Sequence, residues 1–334
     1  ADLWKVPTDG SPATQLTRGD SKDGAPCFRH DGALCFLSNR QPNEVKADED
    51  ADKRMQVWCL PVEGGEPVML TDEPLGVEAF RCARGAERLV LLAPVLADVP
   101  HDKQREAAAE RRKKGPSARR YRRQPVRHWD HWLHQNDDLA FTHVIACDGS
   151  GRHRIDLTPG ARHEFAIEPA LDVSPDGRLV AVTRQTPGAD RELDTTIVLI
   201  DADTRSQRVV GEAPCVNFDA PLFSPDGRHL ASTRSFRSPK TVGRPLAVVI
   251  DVAGGAIREL ATAWDRWPAV ADWSADGRRL LVTADDDGVA PVFTIDVDSG
   301  QVERVSHPDA AGAYSTLARL ADGRIAGIRS TLLQ

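Results

Sequence analysis

The chain reads as all-β: a β-propeller of four-stranded blades, six or seven in number. Three observations carry this. A phrase of one form recurs at 174–185 (SPDGRLVAVTRQ), 224–235 (SPDGRHLASTRS) and 274–285 (SADGRRLLVTAD), and its glycines, Gly177, Gly227 and Gly277, stand fifty residues apart. A second kind of hairpin lies between these phrases, and the two kinds alternate strictly. No apolar period of 3.6 runs through these segments, which excludes helices as the repeating unit.

In Ser-Pro-Asp-Gly, proline sets φ for the first corner, aspartate caps the turn locally and glycine takes the left-handed conformation that closes it. Apolar runs on both sides make the phrase a β-hairpin. Looser copies are RHDG (29–32), CARG (82–85) and LADG (320–323), for six in all. The second kind is an apolar run, an Asp/Gly-rich turn and a more polar strand. It reads LWKVPTDGSPATQL (3–16), VWCLPVEGGEPVML (57–70), THVIACDGSGRHRIDL (142–157), TIVLIDADTRSQRVV (196–210), LAVVIDVAGGAIREL (246–260) and VFTIDVDSGQVERV (292–305), again six. Two hairpins per period give four strands, the size of a propeller blade, and ringed blades cover each other's faces. A β-sandwich has turns at similar spacing but no fifty-residue self-similarity. The chain starts on a second-kind hairpin and stops after a first-kind one. Either these halves close one shared blade, giving six, or the chain is trimmed from a larger ring; the strand-first start favours trimming.

One interval breaks the period. Gly85 to Gly177 spans 92 residues, which places an insertion at 96–140 between LVLLAPV (89–95) and FTHVIA (141–146). The stretch 103–127 holds eleven lysines and arginines against Glu106 and Glu110. A basic helical excursion is expected at about 96–126, with DKQREAAAERRKK as the helix, Asp102 as its N-cap and Gly115-Pro116 as its stop. The plain reading is a solvated arm on the propeller rim. The functional one is a contact arm for substrate, a neighbouring domain or another subunit.

Composition narrows the class. Of 334 residues, 40% are hydrophobic and 28% charged, as in ordinary soluble domains, and the net charge of −7 argues against a nucleic-acid partner despite Tyr121, Trp129 and Trp132 beside the basic run. No apolar run is long enough for a membrane span, and ADLWKVPTDG shows no leader. Six cysteines (27, 35, 59, 82, 147 and 215) lack any C-x-x-C and read as buried reduced thiols, which fits a cytoplasmic protein. Cys27 and Cys35 flank one turn and oppose each other across its hairpin, without an expected bridge.

The chemistry is sparse. His128, His131 and His134 recur beside Asp130, but residues so spaced in one strand do not share a face, and no H-E-x-x-H accompanies them, so no metal is expected. No G-x-S-x-G nucleophile elbow occurs; Gly19–Asp23 and Gly115–Arg119 both lack the closing glycine. There is no P-loop and no dinucleotide fingerprint, so no cofactor is expected. Asp285–Asp287 read as solvated turn residues rather than a calcium site. No convergent acid–base set supports an active site in a central channel.

Residues 262–306 (TAWDRWPAVADWSADGRRLLVTADDDGVAPVFTIDVDSGQVERVS) resemble the penultimate blade of prolyl oligopeptidase family serine peptidases, nearest the acylaminoacyl peptidase and dipeptidyl aminopeptidase branch. Trp264-Asp265-Arg266, Trp273-Ser274-Ala275-Asp276-Gly277 and Thr283-Ala284-Asp285 match in order and spacing. PVRHWDHW (125–132), just after the basic insertion, is similar to a phrase of bacterial members, and DAPLFSPDGRHLASTRSFR (219–237) fits the blade between. PKTVGRPLAVV (239–249) departs from the acidic phrase such members carry there.

The resemblance implies a non-catalytic propeller, residues 1–334, that caps an active site and admits only short peptides. An α/β-hydrolase domain carrying the Ser-Asp-His triad would follow Gln334, with that domain and a short peptide as partners and a homo-oligomer as a further possibility. It makes Arg127 the candidate substrate-binding residue, its guanidinium presenting donors to carbonyl or carboxylate oxygens, against a plainer role as an ion pair with Asp130. The alternative class is a stand-alone propeller that binds a protein partner, as Tol-type propellers do.

Overall fold

The computed structural model describes residues 1–41, 54–114, 127–128, 131–132, 140–162, 164–165, 169–187, 193–237, 241, 243–307, 312–320 and 322–331. The chain divides into two compact units, Ala1–Glu168 and Pro169–Gln334.

The first unit opens on a two-stranded hairpin, β1 (Trp4–Lys5) and β2 (Thr14–Gln15). Its first four-stranded sheet runs β3 (Asp23–Phe28), β4 (Leu34–Ser38), β5 (Gln56–Leu60) and β6 (Val68–Met69). Its second runs β7 (Ala79–Cys82), β8 (Arg88–Leu96), β11 (Ala140–Asp148) and β12 (Ile155–Asp156), with helix α1 (Gln104–Lys114) and the short ladder β9 (Arg127–His128) with β10 (His131–Trp132) between β8 and β11.

In the second unit, β13 (Leu171–Val173) to β16 (Gln207–Gly211) form one sheet through β14 (Leu179–Pro187) and β15 (Leu193–Asp201). The next contains β17 (Val216–Phe223), β18 (His229–Phe236), β19 (Leu246–Asp251) and β20 (Ile257–Glu259). The third contains β21 (Ala269–Trp273), β22 (Arg279–Thr283), β23 (Val292–Asp296) and β24 (Val302–Arg304); β25 (Ala313–Arg319) and β26 (Ile325–Ser330) pair alone.

All twelve hairpins thus form where the turn chemistry places them, and the sheets are antiparallel meanders of propeller type. The blade count is corrected: five four-stranded blades are present among the described residues, not six or seven. A blade arises when the second strand of one hairpin pairs with the first strand of the next, as β4 does with β5 and β22 with β23. The terminal hairpins β1–β2 and β25–β26 each stay two-stranded.

The central strands of each blade are buried on both faces, which is why RLVLLAPVL and LDTTIVLID read as nearly continuous apolar runs. Leu89, Leu91 and Leu92 are each at most 1% exposed, and each such burial is worth about 2 kcal/mol. The outermost strands carry the polar halves of the second-kind hairpins: β20 (IRE) is exposed throughout.

The repeated turn is built the same way each time. Ser224 is buried, and its hydroxyl donates to Asp226 Oδ1 (2.6 Å) and accepts the His229 N–H (3.0 Å), while the Gly227 N–H returns to the Ser224 carbonyl (2.9 Å). Ser174 and Ser274 accept the N–H of Leu179 and Arg279 in the same way (2.8 and 2.7 Å). Gly227 sits at φ 71°, and a Cβ there would meet Pro175 Cδ of the preceding turn at 3.5 Å.

A second repeated contact joins neighbouring blades. Five residues before the turn glycine, Asp172 Oδ2 accepts the Phe223 N–H of the next blade at 2.7 Å, and Asp272 Oδ2 accepts the Arg319 N–H at 3.3 Å. In the first unit the same sequence position is Cys27, whose Sγ accepts the Cys82 N–H at 3.5 Å. Just upstream the first strands bulge: Ala25, Ala220 and Thr316, each seven residues before its turn glycine, take φ of 49°, 48° and 51°.

The first two blades also share a buried polar network. Gln56 Oε1 accepts from the Thr71 hydroxyl (2.9 Å) and the Glu73 N–H (3.0 Å), and Gln56 Nε2 donates to the Glu73 carbonyl (2.8 Å). The Glu73 carboxylate then takes a forked pair from Arg154, at 2.7 and 3.3 Å. Arg154→Ala strands a buried carboxylate and is expected to cost about 3 kcal/mol of stability in a urea titration; a change under 1 kcal/mol counts against this role.

The second-kind turns close on aspartates. Backbone N–H donation from Thr204 leads the groups that hold the Asp201 carboxyl down to about 2, and Ser299 does likewise, in direction, for Asp296. Because the folded value is depressed, this stabilisation is complete above the ordinary value of 3.8 and is lost as pH falls through about 2. The thermal midpoint is expected to drop across that window, and Asp201→Asn to flatten the drop.

Candidate functional site

The insertion leaves blade two at the end of β8 and is held there by one side chain. Gln104, the first residue of α1 and its only buried one, accepts the Leu96 N–H on Oε1 (2.7 Å). Its Nε2 donates to the carbonyls of Leu96 (3.0 Å) and Val99 (2.7 Å). Past Gln104 the helix is alanine and charge, with no apolar face to bury. Arg105 pairs with Asp72, and Lys114 with Glu110 one turn back. The solvated-arm expectation therefore describes α1, while the anchor at its root was not foreseen. Asp102 is corrected: it lies inside a 3-10 turn, His101–Lys103, that precedes α1 and does not cap it. The helix is described as far as Lys114; the rest of the expected helical stretch, 115–126, with its expected stop at Gly115-Pro116, lies outside the described residues.

Beside this root, Arg162 donates to Asp98 (3.2 Å) and lies over the Phe141 ring (5.3 Å). Thr142 donates its hydroxyl to Glu78 (2.9 Å), a residue exposed at its surface whose carboxyl is pushed up by neighbouring protein atoms that displace water. Asp219, exposed at the β17 bulge, is likewise pushed up by partial desolvation. Both acids escaped sequence reading because neither belongs to a motif; their register, seven and eight residues before a turn glycine, was the available signal.

Arg127–His128 pairs antiparallel with His131–Trp132, Arg127 opposite Trp132 and His128 opposite His131. This corrects the strand argument used against the histidines: a hairpin sets His128 and His131 directly opposite each other. The side chains of this ladder, Arg127's included, and the residues Asp130, Trp129, Tyr121 and His134 lie outside what is described. Among the described residues no group of three histidines, cysteines or carboxylates could hold a metal ion. His143, the buried histidine of β11, has both ring nitrogens engaged, by Asp156 (2.7 Å) and the Ala161 carbonyl (3.1 Å). Asp286, from the acidic triplet, is taken up by Arg266 (2.7 and 3.0 Å) and Arg304 (3.8 Å). All six cysteines are free thiols, and Cys27 and Cys35 do oppose each other across their hairpin.

No family model matches the chain. Among curated proteins it is 24% identical over 270 residues to dipeptidyl-peptidase 5 of Arthroderma otae, covering 72% of this chain and 36% of that protein. It is 27% identical over 208 residues to dipeptidyl-peptidase 5 of Trichophyton equinum, covering 55% and 28%. Over these stretches the chain is similar to dipeptidyl peptidases, in keeping with the prolyl oligopeptidase resemblance. It spans about a third of the length of the curated relatives it matches. Solved structures agree on the fold. A prolyl endopeptidase aligns with TM-score 0.60 at 14% identity over 96% of this chain and 41% of that one. The β-propeller domain of the Trilobed protease from Pyrococcus furiosus aligns at 0.56 and 10%, over 92% and 74%. An oligogalacturonate lyase in complex with manganese aligns at 0.59 and 16%, over 92% and 71%, so fold likeness alone chooses no activity.

The motifs that carry the prolyl oligopeptidase resemblance have structural work in this propeller. Trp264 meets Phe293 edge to face with centroids 5.0 Å apart, Arg266 holds Asp286, and the Trp273 indole donates to the Leu222 carbonyl of the previous blade at 2.9 Å. No membrane-spanning helix exists among the described residues.

Gln104→Ala removes three hydrogen bonds and strands the Leu96 N–H. We expect a loss of roughly 2 kcal/mol and faster tryptic cleavage within 105–114. An unchanged cleavage rate counts against Gln104 as the anchor.

Proposed function

We propose that this chain is the non-catalytic propeller of a serine oligopeptidase of the acylaminoacyl or dipeptidyl peptidase kind. In this reading it caps the active site and restricts entry to short peptides. The observation that carries it is the match over 270 residues to little more than a third of dipeptidyl-peptidase 5. The matched part lacks a nucleophile elbow in its sequence here. The chemistry then belongs to an α/β-hydrolase domain C-terminal to Gln334, by attack of an activated serine and formation of an acyl-enzyme. The propeller's contribution is physical: blades too stiff to deform exclude folded chains and leave short peptides to reach the serine. The six free thiols favour a reducing compartment, the cytoplasm.

Arg127 is the substrate contact in this proposal. It lies at the start of a two-residue strand in the inserted arm, where a guanidinium offers paired donors to a peptide carbonyl or terminal carboxylate. The insertion as a whole, with α1 solvated and footed on Gln104, is the element that can reach towards a second domain.

The reading frame beyond codon 334 tests the domain assignment: G-x-S-x-G downstream supports it, and a stop codon points to a protein-binding propeller instead. A fluorophosphonate probe should label the full-length enzyme on one serine and leave residues 1–334 unlabelled. In the full-length enzyme Arg127→Ala is expected to raise KM for short peptides roughly tenfold, the loss of one charged hydrogen bond, with kcat little changed. An unchanged KM discards the contact.

A further inference from the structure

Four cysteines spread over 55 residues of sequence converge between the first two blades. Cys27 on β3 is the ladder partner of Cys35 on β4, which is in turn the partner of Cys59 on β5. Cys82 on β7 of the next blade gives its N–H to Cys27 Sγ (3.5 Å). Cys35, Cys59 and Cys82 are at most 5% exposed, whereas Cys27 is only partly buried. One thiol of the group is partly open to solvent, and Cys82 beside it is buried in the core.

We infer that Cys27 and Cys82 form a peroxide-oxidisable dithiol, with Cys27 the reacting sulfur and Cys82 the resolving one, and that their disulfide ties the first blade to the second. The position of Cys27 supports this independently of the thiols around it. It occupies the register at which Asp172 and Asp272 present an anionic oxygen to the next blade's backbone N–H. In two other sheets a carboxylate oxygen holds the acceptor place at this register, and in the first blade a sulfur holds it. The groups facing Cys27 are the Cys82 thiol and N–H and the Arg81 guanidinium from β7, and Cys35 from β4. Donation from Cys82, ahead of the opposing effect of burial, brings the Cys27 thiol down to about 7, while Cys82 is pushed up and stays a protonated donor. Thiolate character with access is what selects a cysteine for oxidation.

The steps balance with hydrogen peroxide as oxidant. The Cys27 thiolate attacks one peroxide oxygen, the O–O bond breaks, and the departing hydroxide takes a proton to leave as water. Cys27 is then a sulfenic acid. The Cys82 sulfur attacks Cys27 Sγ, the S–O bond breaks, and hydroxide leaves with the Cys82 proton as a second water. Two thiols lose two electrons and two protons, and the peroxide gains them.

The test is native hydrogen peroxide treatment of the reduced chain, followed by intact mass and peptide mapping without reductant. The expected result is loss of two hydrogens and a peptide joining Cys27 to Cys82. Its rate should rise with pH through about 7 and exceed that of free cysteine roughly tenfold at neutral pH. Cys27→Ser should abolish it, and Cys82→Ala should arrest oxidation at a Cys27 sulfenic acid that dimedone traps. A bridge between any other pair, reaction at Cys27 no faster than at the partly buried Cys215, or oxidation only where urea unfolds the chain overturns the assignment. Urea midpoints of the reduced variants report folding, and the wild-type map decides the question if Cys82→Ala does not fold.

Discussion

Three times along the chain a backbone amide is handed to an acceptor in the preceding sheet, five residues ahead of that sheet's turn glycine, at Cys27, Asp172 and Asp272. Apolar burial between sheets is large but non-directional. It allows blades to slide against each other by a residue. A single N–H bonded to Asp172 or Asp272 does not, because slippage leaves a buried donor without a partner. In the three Ser-x-Asp-Gly turns the serine hydroxyl sets the start of the next strand, and Pro175 and Pro225 seat Gly227 and Gly277 of the turns that follow. Register along a strand and register between blades are fixed within the same dozen residues, so a short phrase repeated at a constant interval suffices to define the architecture.

The hairpins were legible because their turns advertise themselves. Pro, Asp and Gly in that order leave the backbone little choice, and every one of the twelve expected hairpins forms. The number of blades was not legible. Pairing between hairpins is a long-range event, and nothing local distinguishes β25, which pairs with β26 alone, from β21, whose hairpin joins a four-stranded sheet. The same limit explains Gln104: glutamine at the head of a charged helix looks like solvent-facing polarity, and only the folded chain brings the Leu96 and Val99 backbone to it. Asp102 met the rule for a cap, yet the chain tightens into a 3-10 turn first. The cysteines were placed correctly as reduced and largely buried thiols, whereas their convergence crosses from one blade to the next and has no signature in spacing.

The chemistry the resemblance suggested and the chemistry the structure displays divide along the same line. Trp264, Arg266 and Trp273, which make the sequence recognisable, are occupied in packing, in an ion pair and in an inter-blade hydrogen bond. They mark a scaffold. The R-H-W-D ladder instead belongs to an arm that interrupts the scaffold, where loops carry function and strands carry position.

The root of that arm has an evolutionary consequence. Because α1 buries no apolar stripe and is footed on the carboxamide of Gln104, its composition is almost free of the constraints that govern the strands on either side. Segments of other length or charge could be grafted after Val99 at little cost to the blade, provided an amide returns to the Leu96 backbone. The arm is the part of the molecule best suited to diversify between lineages while the sheets beneath it stand still.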